Sequence, residues 1–175
     1  MANPERVRVW DLPVRLFHWT LVASFATAWL TSDDAESLHH WAGYAALGLV
    51  AFRLVWGFAG SEHARFSDFV PSPAVLRDYG WRLLRGDEPR YLGHNPAAAV
   101  MILFLLTMVA LIGCSGWLLT TDFGWGNERI EEAHELAAQI ALLAVAIHVA
   151  AAIYESFHQR ENLIRAMFDG HKRAR

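Results

Sequence analysis

His134-Glu135-Leu136-Ala137-Ala138-Gln139-Ile140-Ala141-Leu142-Leu143-Ala144-Val145-Ala146-Ile147-His148 is the stretch that decides the fold of this chain. Two histidines close a largely apolar run, fourteen residues apart. Fourteen residues is close to four helical turns, so on a helix both rings leave the same face, roughly 21 Å apart along the axis. That spacing suits two groups stacked across a membrane, each held by a histidine from this helix and one from another. Histidine inside lipid is costly and rare without a role.

The surrounding composition supports a membrane. Of 175 residues, 54% are apolar, which is high for a soluble domain. They are also bunched. Leu16 to Thr31, Pro96 to Thr121 and Leu136 to Tyr154 carry no formal charge, and His40 to Gly60 carries only Arg53. Spanning needs about 20 apolar residues, which the first run reaches by including its flank from Leu12. A soluble bundle would show polar stripes along its helices, and the third run shows none. The expectation is an all-α membrane protein, a single domain over residues 1–175. Its bundle of four transmembrane helices runs over about 12–31, 39–60, 96–121 and 131–157, with one long loop at 61–95.

The charges orient it. Arg6, Arg8 and Arg15 precede the first helix, five arginines (65, 77, 82, 85, 90) lie in the long loop, and Arg160, Arg165, Lys172, Arg173 and Arg175 follow the fourth. The other two connections hold Arg129 against Asp33, Asp34, Glu36, Asp122, Glu128, Glu131 and Glu132. The positive-inside rule therefore predicts both termini and the long loop in the cytoplasm. The first apolar run has no small-residue cleavage site and reads as a mature helix. The single cysteine, Cys114, excludes a disulfide framework, and the absence of CxxCH excludes covalent c-type haem.

Trp10 and Trp19 are expected at the cytoplasmic interface. Val75, Leu76, Tyr79 and Leu83 fall on one side of a helix over Pro73 to Arg85 and arginines on another, which fits either a helix lying on the membrane with Trp81 near the headgroups or an ordinary solvated one. Asn95-Pro96 is a good helix start. The polar tail from Glu155 is expected to prolong the fourth helix.

Nine histidines remain to be sorted. Under the predicted topology His18 and His148 share the cytoplasmic half, whereas His134 shares its depth with His39 or His40. Two axial histidines on a low-spin iron leave no open position for a substrate, which makes an electron-transfer site. Arg53 lies fourteen residues after His39, on the same helix face, and no acid in the apolar runs can balance it. A haem propionate would supply that counter-charge with bidentate geometry. The alternative is a side chain that snorkels to the surface. The spacing to Arg53 favours His39 over His40, and Gly43, one turn on, opens space for a ring. Arg53, Arg15 and Gly43 are thus the candidate cofactor contacts. Helix capping by neighbouring Asn95 is the simple account of His94, a quinone or proton site the other. His63, His158 and His171 lie in basic polar surroundings and are expected to be solvated.

The segments Val9-Trp10-Asp11-Leu12-Pro13-Val14-Arg15-Leu16-Phe17-His18-Trp19, His39-His40-Trp41-Ala42-Gly43-Tyr44, Arg53-Leu54-Val55-Trp56-Gly57-Phe58, Leu92-Gly93-His94-Asn95-Pro96 and Glu161-Asn162-Leu163-Ile164-Arg165-Ala166-Met167, with His134-Glu135 and His148, resemble the bacterial cytochrome b561 family. The likeness is strongest to its branch similar to the b-type subunit of nickel-iron hydrogenases. It covers almost the whole chain. The resemblance implies a four-helix bundle in the bacterial inner membrane. It also implies two non-covalent b haems on His18, His39, His134 and His148, and electron exchange between a periplasmic partner and membrane quinone. A c-type cytochrome or another oxidoreductase suits the partner's role, and nucleic acid does not. Two rivals stand beside it. One is a stand-alone quinone oxidoreductase acting on a small redox substrate; the other is a histidine-based metal transporter.

Overall fold

The structure, a computed structural model, describes residues 6–174. Among the described residues seven α-helices, one 3-10 turn (Glu62–Ala64, between α2 and α3) and two short strands follow in the order β1 (Arg6–Arg8), α1 (Leu12–Leu30), α2 (Glu36–Ala59), α3 (Phe66–Phe69), α4 (Pro73–Arg85), α5 (Pro96–Leu119), α6 (Glu128–His158), α7 (Leu163–Asp169) and β2 (His171–Arg173). The four expected long helices are present within a few residues of their expected ends. By length and composition, α2, α5 and α6 are able to cross a membrane. Helix α1 does not reach that measure, because Arg15, His18, Thr20 and Ser24 dilute its 19 residues.

Local chemistry sets the boundaries. Asp11 caps α1 by accepting from the Val14 N–H at 2.8 Å. Asn95 caps α5 through the Ala98 N–H at 2.8 Å, with Pro96 as first helical residue. Asn127 takes the same role for α6 after Gly126 turns the chain at φ 71°. Ser72 caps α4, and Gly86 ends it in the left-handed region. The chain forms two compact units.

One unit holds, of the described residues, 6–15, Val55–Leu103 and 146–174. In it the first and last described segments are clasped together. β1 and β2 pair antiparallel, with Val7 opposite Lys172. The Gly170 carbonyl accepts from the N–H groups of Val9 and Trp10 at 2.9 and 3.1 Å. Gly170 itself stands at φ 81° with the Trp10 carbonyl where a Cβ would go, so only glycine fits. Trp10, expected at the interface, is 4% exposed instead, covered by Ala166 and by the Lys172 ammonium 5.0 Å from its ring. The tail does not simply prolong α6. The helix stops at His158, and α7 and β2 return the chain to its start.

Two charged groups fix this clasp. Glu161, 7% exposed, accepts from Arg90 Nη2 at 2.8 Å and from the Arg173 backbone and Nε at 3.1 and 3.3 Å. Lys172, 5% exposed, donates to the carbonyls of Leu92 and Gly93 at 2.7 and 3.2 Å. Asp11 adds a third tie, accepting from Trp56 Nε1 at 3.0 Å and Ser61 Oγ at 2.6 Å. Burial alone would raise its pKa, but the hydrogen bonds from Ser61, the Val14 N–H and Trp56 together hold it below the usual value. His63 and His158, expected to be solvated, pair with Asp68 at 3.0 Å and Glu88 at 3.1 Å.

The other unit holds Leu16–Leu54 and Phe104–Val145. Here glycines set the helix spacing. A Cβ on Gly113 would stand 3.0 Å from the Leu47 side chain, so α2 and α5 meet closely. Tyr44 and Thr120 hydroxyls join the same helices at 3.1 Å, and Phe17 meets Phe52 between α1 and α2.

Burial pushes the Lys172 ammonium down to about 8, partly offset by Glu161. Lys172 is the only lysine of the chain, so ¹⁵N-lysine labelling gives one side-chain resonance, which should titrate near that value. Because the folded value is depressed, the folded state lacks a proton that the unfolded chain keeps between about 8 and the ordinary 10.5. Stability therefore rises with pH through that window and is lost as pH falls through the folded value. Lys172→Met should flatten this slope in thermal unfolding. Glu161→Ala strands Arg90 and Arg173 and should cost roughly 1.5–3 kcal/mol, read as a lower thermal midpoint and faster cleavage of the tail by protease.

Candidate functional site

The site grows from two helices whose apolar faces repeat every seven residues. On α2, His39, Ala46 and Arg53 are spaced by seven, and Ala46, Val50 and Arg53 are buried. On α6, His134, Ala141 and His148 are spaced likewise, and Ala141 is 0% exposed. A seven-residue repeat keeps these positions on one seam of a bundle.

His39 and His134 come together within one unit. Their ring centres are 6.2 Å apart and the rings are steeply inclined at 70°. An imidazole–metal bond of about 2 Å puts two rings that grip one ion from opposite sides about 6 Å apart, centre to centre. His40, the alternative, has its ring against His39 and Tyr44.

Each ring is anchored through Nδ1. His39 Nδ1 lies 2.8 Å from the Ala28 carbonyl. A carbonyl can only accept, so Nδ1 carries the hydrogen and Nε2 is left bare. Ala28 sits in the last turn of α1, where helical carbonyls lack an intrahelical donor. His134 Nδ1 lies 3.1 Å from the Ile112 carbonyl and 3.0 Å from Ser115 Oγ. The same reasoning bares its Nε2. Neutral rings held in this tautomer are the form in which histidine binds iron.

Space is provided on both sides. A Cβ on Gly43 would meet nothing within 4 Å, so the groove beside His39 is open. A Cβ on Gly116 would stand 3.0 Å from His134 Cε1, tighter than an ordinary contact, so glycine lets that ring lie against α5 without shifting.

Elsewhere, Arg53 is 3% exposed and is therefore not extended into solvent. His18 is half-buried on α1 with its ring edge-on to Trp19 at 5.0 Å. His148 is half-buried on α6. Arg15 Nε is buried with no hydrogen-bond partner among the described residues, which suits an anionic group beside it. His94 is held between Trp10 at 4.4 Å and Phe69 at 4.9 Å. Among the described residues no three histidine, cysteine, aspartate or glutamate side chains are grouped to hold a metal ion. Two imidazoles at this separation fit haem, whose macrocycle would supply the remaining ligands of its iron. Sequence reasoning missed Ser115, Gly116 and the two carbonyls. The small residues Gly113, Ser115 and Gly116, interrupting the bulky run of α5, were the available signal.

Known proteins resemble the chain over nearly its full length. The probable nickel-iron hydrogenase B-type cytochrome subunit of Rhodobacter capsulatus is 24% identical over 95% of this chain and 81% of that protein. The subunit of the same name from Rhizobium leguminosarum bv. viciae is 24% identical over 96% of this chain and 89% of its own length. That from Azotobacter vinelandii is 26% identical over 94% and 87%. Residues 9–170 match the family model described as prokaryotic cytochrome b561, and the chain belongs to that family of membrane b-type cytochromes.

Proposed function

We propose that this chain is a di-haem electron-transfer protein of the bacterial inner membrane, carrying electrons between a periplasmic redox partner and the quinone pool. The observation that carries the reading is the His39–His134 pair, 6.2 Å apart with both Nδ1 atoms on carbonyls. His18 and His148 hold the second haem, on the strength of their shared depth in a four-span bundle with both termini cytoplasmic. A bound haem would supply a one-electron iron couple, held by these histidines.

The chain's own residues do the rest. The four imidazoles would supply the donor nitrogens. Gly43 leaves room for a ring edge. Arg53 and Arg15 present guanidinium groups to propionates, a pairing whose strength lies in charge and bidentate geometry. The aliphatic bundle excludes water from the couple.

The named relatives are hydrogenase subunits, so the large partner is a periplasmic hydrogenase or, equally suited to the acidic face, a basic c-type cytochrome. Asp33 and Asp34 in the α1–α2 turn and Glu36 at the start of α2 are exposed. Carboxylates at this density attract a basic surface and raise its association rate.

Purified protein should show a b-type spectrum with two haems per chain. His39→Ala should halve the haem content, and His40→Ala should leave it intact. His18→Ala and His148→Ala should each remove the other haem. Loss of different haems in these last two would break the pairing, and a colourless protein carrying zinc, copper or nickel would replace the reading with transport.

Neutralising Asp33, Asp34 and Glu36 together should slow reduction by the partner and flatten its salt dependence, since exposed charges are screened beyond about 8 Å in physiological salt. A rate indifferent to both changes would show that docking is not electrostatic.

A further inference from the structure

We propose that Ser115 positions the His134 ring and lowers the potential of the iron centre that His39 and His134 hold; this rests on the ligand reading above. The geometry fixes the direction of each hydrogen. His134 Nδ1 lies 3.1 Å from the Ile112 carbonyl, which can only accept, so Nδ1 is the donor. Ser115 Oγ, 3.0 Å from the same nitrogen, must then accept from it. Its own hydrogen is committed elsewhere, with the Leu111 carbonyl at 2.8 Å and the Ile112 carbonyl at 3.1 Å. Donation to Leu111 polarises the hydroxyl and makes its oxygen a better acceptor.

The Nδ1–H of His134 is therefore shared between two acceptors, whereas that of His39 meets the Ala28 carbonyl. Drawing on this hydrogen pushes electron density toward Nε2. A more basic imidazole favours the more highly charged, oxidised iron, so the potential falls. Gly116 is the steric half of the same device. It lets the ring come close enough to Ser115, since a Cβ there would stand 3.0 Å from Cε1.

The test is a spectroscopic redox titration of detergent-purified protein with Ser115→Val and Ser115→Thr, read beside the His134→Ala variant. Thr keeps the hydroxyl and Val replaces it with a methyl of the same shape, so their difference isolates the hydrogen bond. The expected result is that Val raises the potential of the His134-dependent haem and alters its low-spin electron paramagnetic resonance signal, and that Thr restores both. Loss of that haem in Val with retention in Thr supports the positioning role equally. Equal potentials in Val and Thr, a fall in Val, or equal loss of haem in both overturns it. If His134→Ala keeps both haems, the ligand reading itself fails; if it removes one and that one is indifferent to Ser115, only this inference fails.

Discussion

A neutral imidazole in an apolar bundle carries one donor nitrogen and one acceptor nitrogen, and both must be provided for. The bundle solves half of this with backbone. The Ala28 and Ile112 carbonyls take the Nδ1 hydrogens of His39 and His134 at 2.8 and 3.1 Å. A buried polar group left without a partner costs on the order of 1–3 kcal/mol. The carbonyls remove that cost on one side of each ring and fix the tautomer that leaves Nε2 with its lone pair. Under the proposed reading a metal ion held between the two rings would take up both lone pairs, and the carbonyls would orient them.

Those carbonyls are usable because of where the helices end and how closely they approach. Ala28 is available because α1 stops at Leu30, two residues later. The acidic turn after it thus has a structural consequence besides orientation: it sets the register at which α2 starts, and with it the depth of His39. Ile112 is reachable because Gly113 and Gly116 bring the backbone of α5 near its neighbours, with prospective Cβ contacts of 3.0 Å to Leu47 and His134. In lipid, where apolar surface gives no drive to associate, such small residues are what lets backbones come close.

Much of this was legible in the sequence, for identifiable reasons. Helix positions followed from charge-free runs, and the start of α5 from Asn95-Pro96, which acts through local backbone. The histidine spacing is a helical periodicity and survives translation into three dimensions. The clasp between the chain ends was not legible. Its strands are three residues each and pair across more than 160 positions, and nothing local distinguishes them from solvated basic tails. Trp10 was misplaced for the same reason, since its cover is supplied by Lys172 and Ala166 from the far end. Backbone acceptors for the histidines are invisible to side-chain motifs by nature.

The contrast between α2 and α6 bears on how the two proposed haem sites would differ. Both helices keep a seven-residue repeat on one face, but α6 offers histidine at both ends of its fourteen-residue span and α2 offers His39 and then Arg53. An ideal helix drifts about 20° per heptad, so two heptads still leave both positions on one seam. At the second position α2 therefore contributes a fixed positive charge in place of a ligand. Arg53 is buried, and a guanidinium remains charged under all ordinary conditions. A positive charge beside an iron centre disfavours its oxidised form, whereas an imidazole whose Nδ1 hydrogen is drawn off by a hydroxyl and a carbonyl favours it. In the proposed di-haem reading the two centres would thus be biased in opposite directions by these groups. That asymmetry would give electron flow between two identical cofactors a preferred direction.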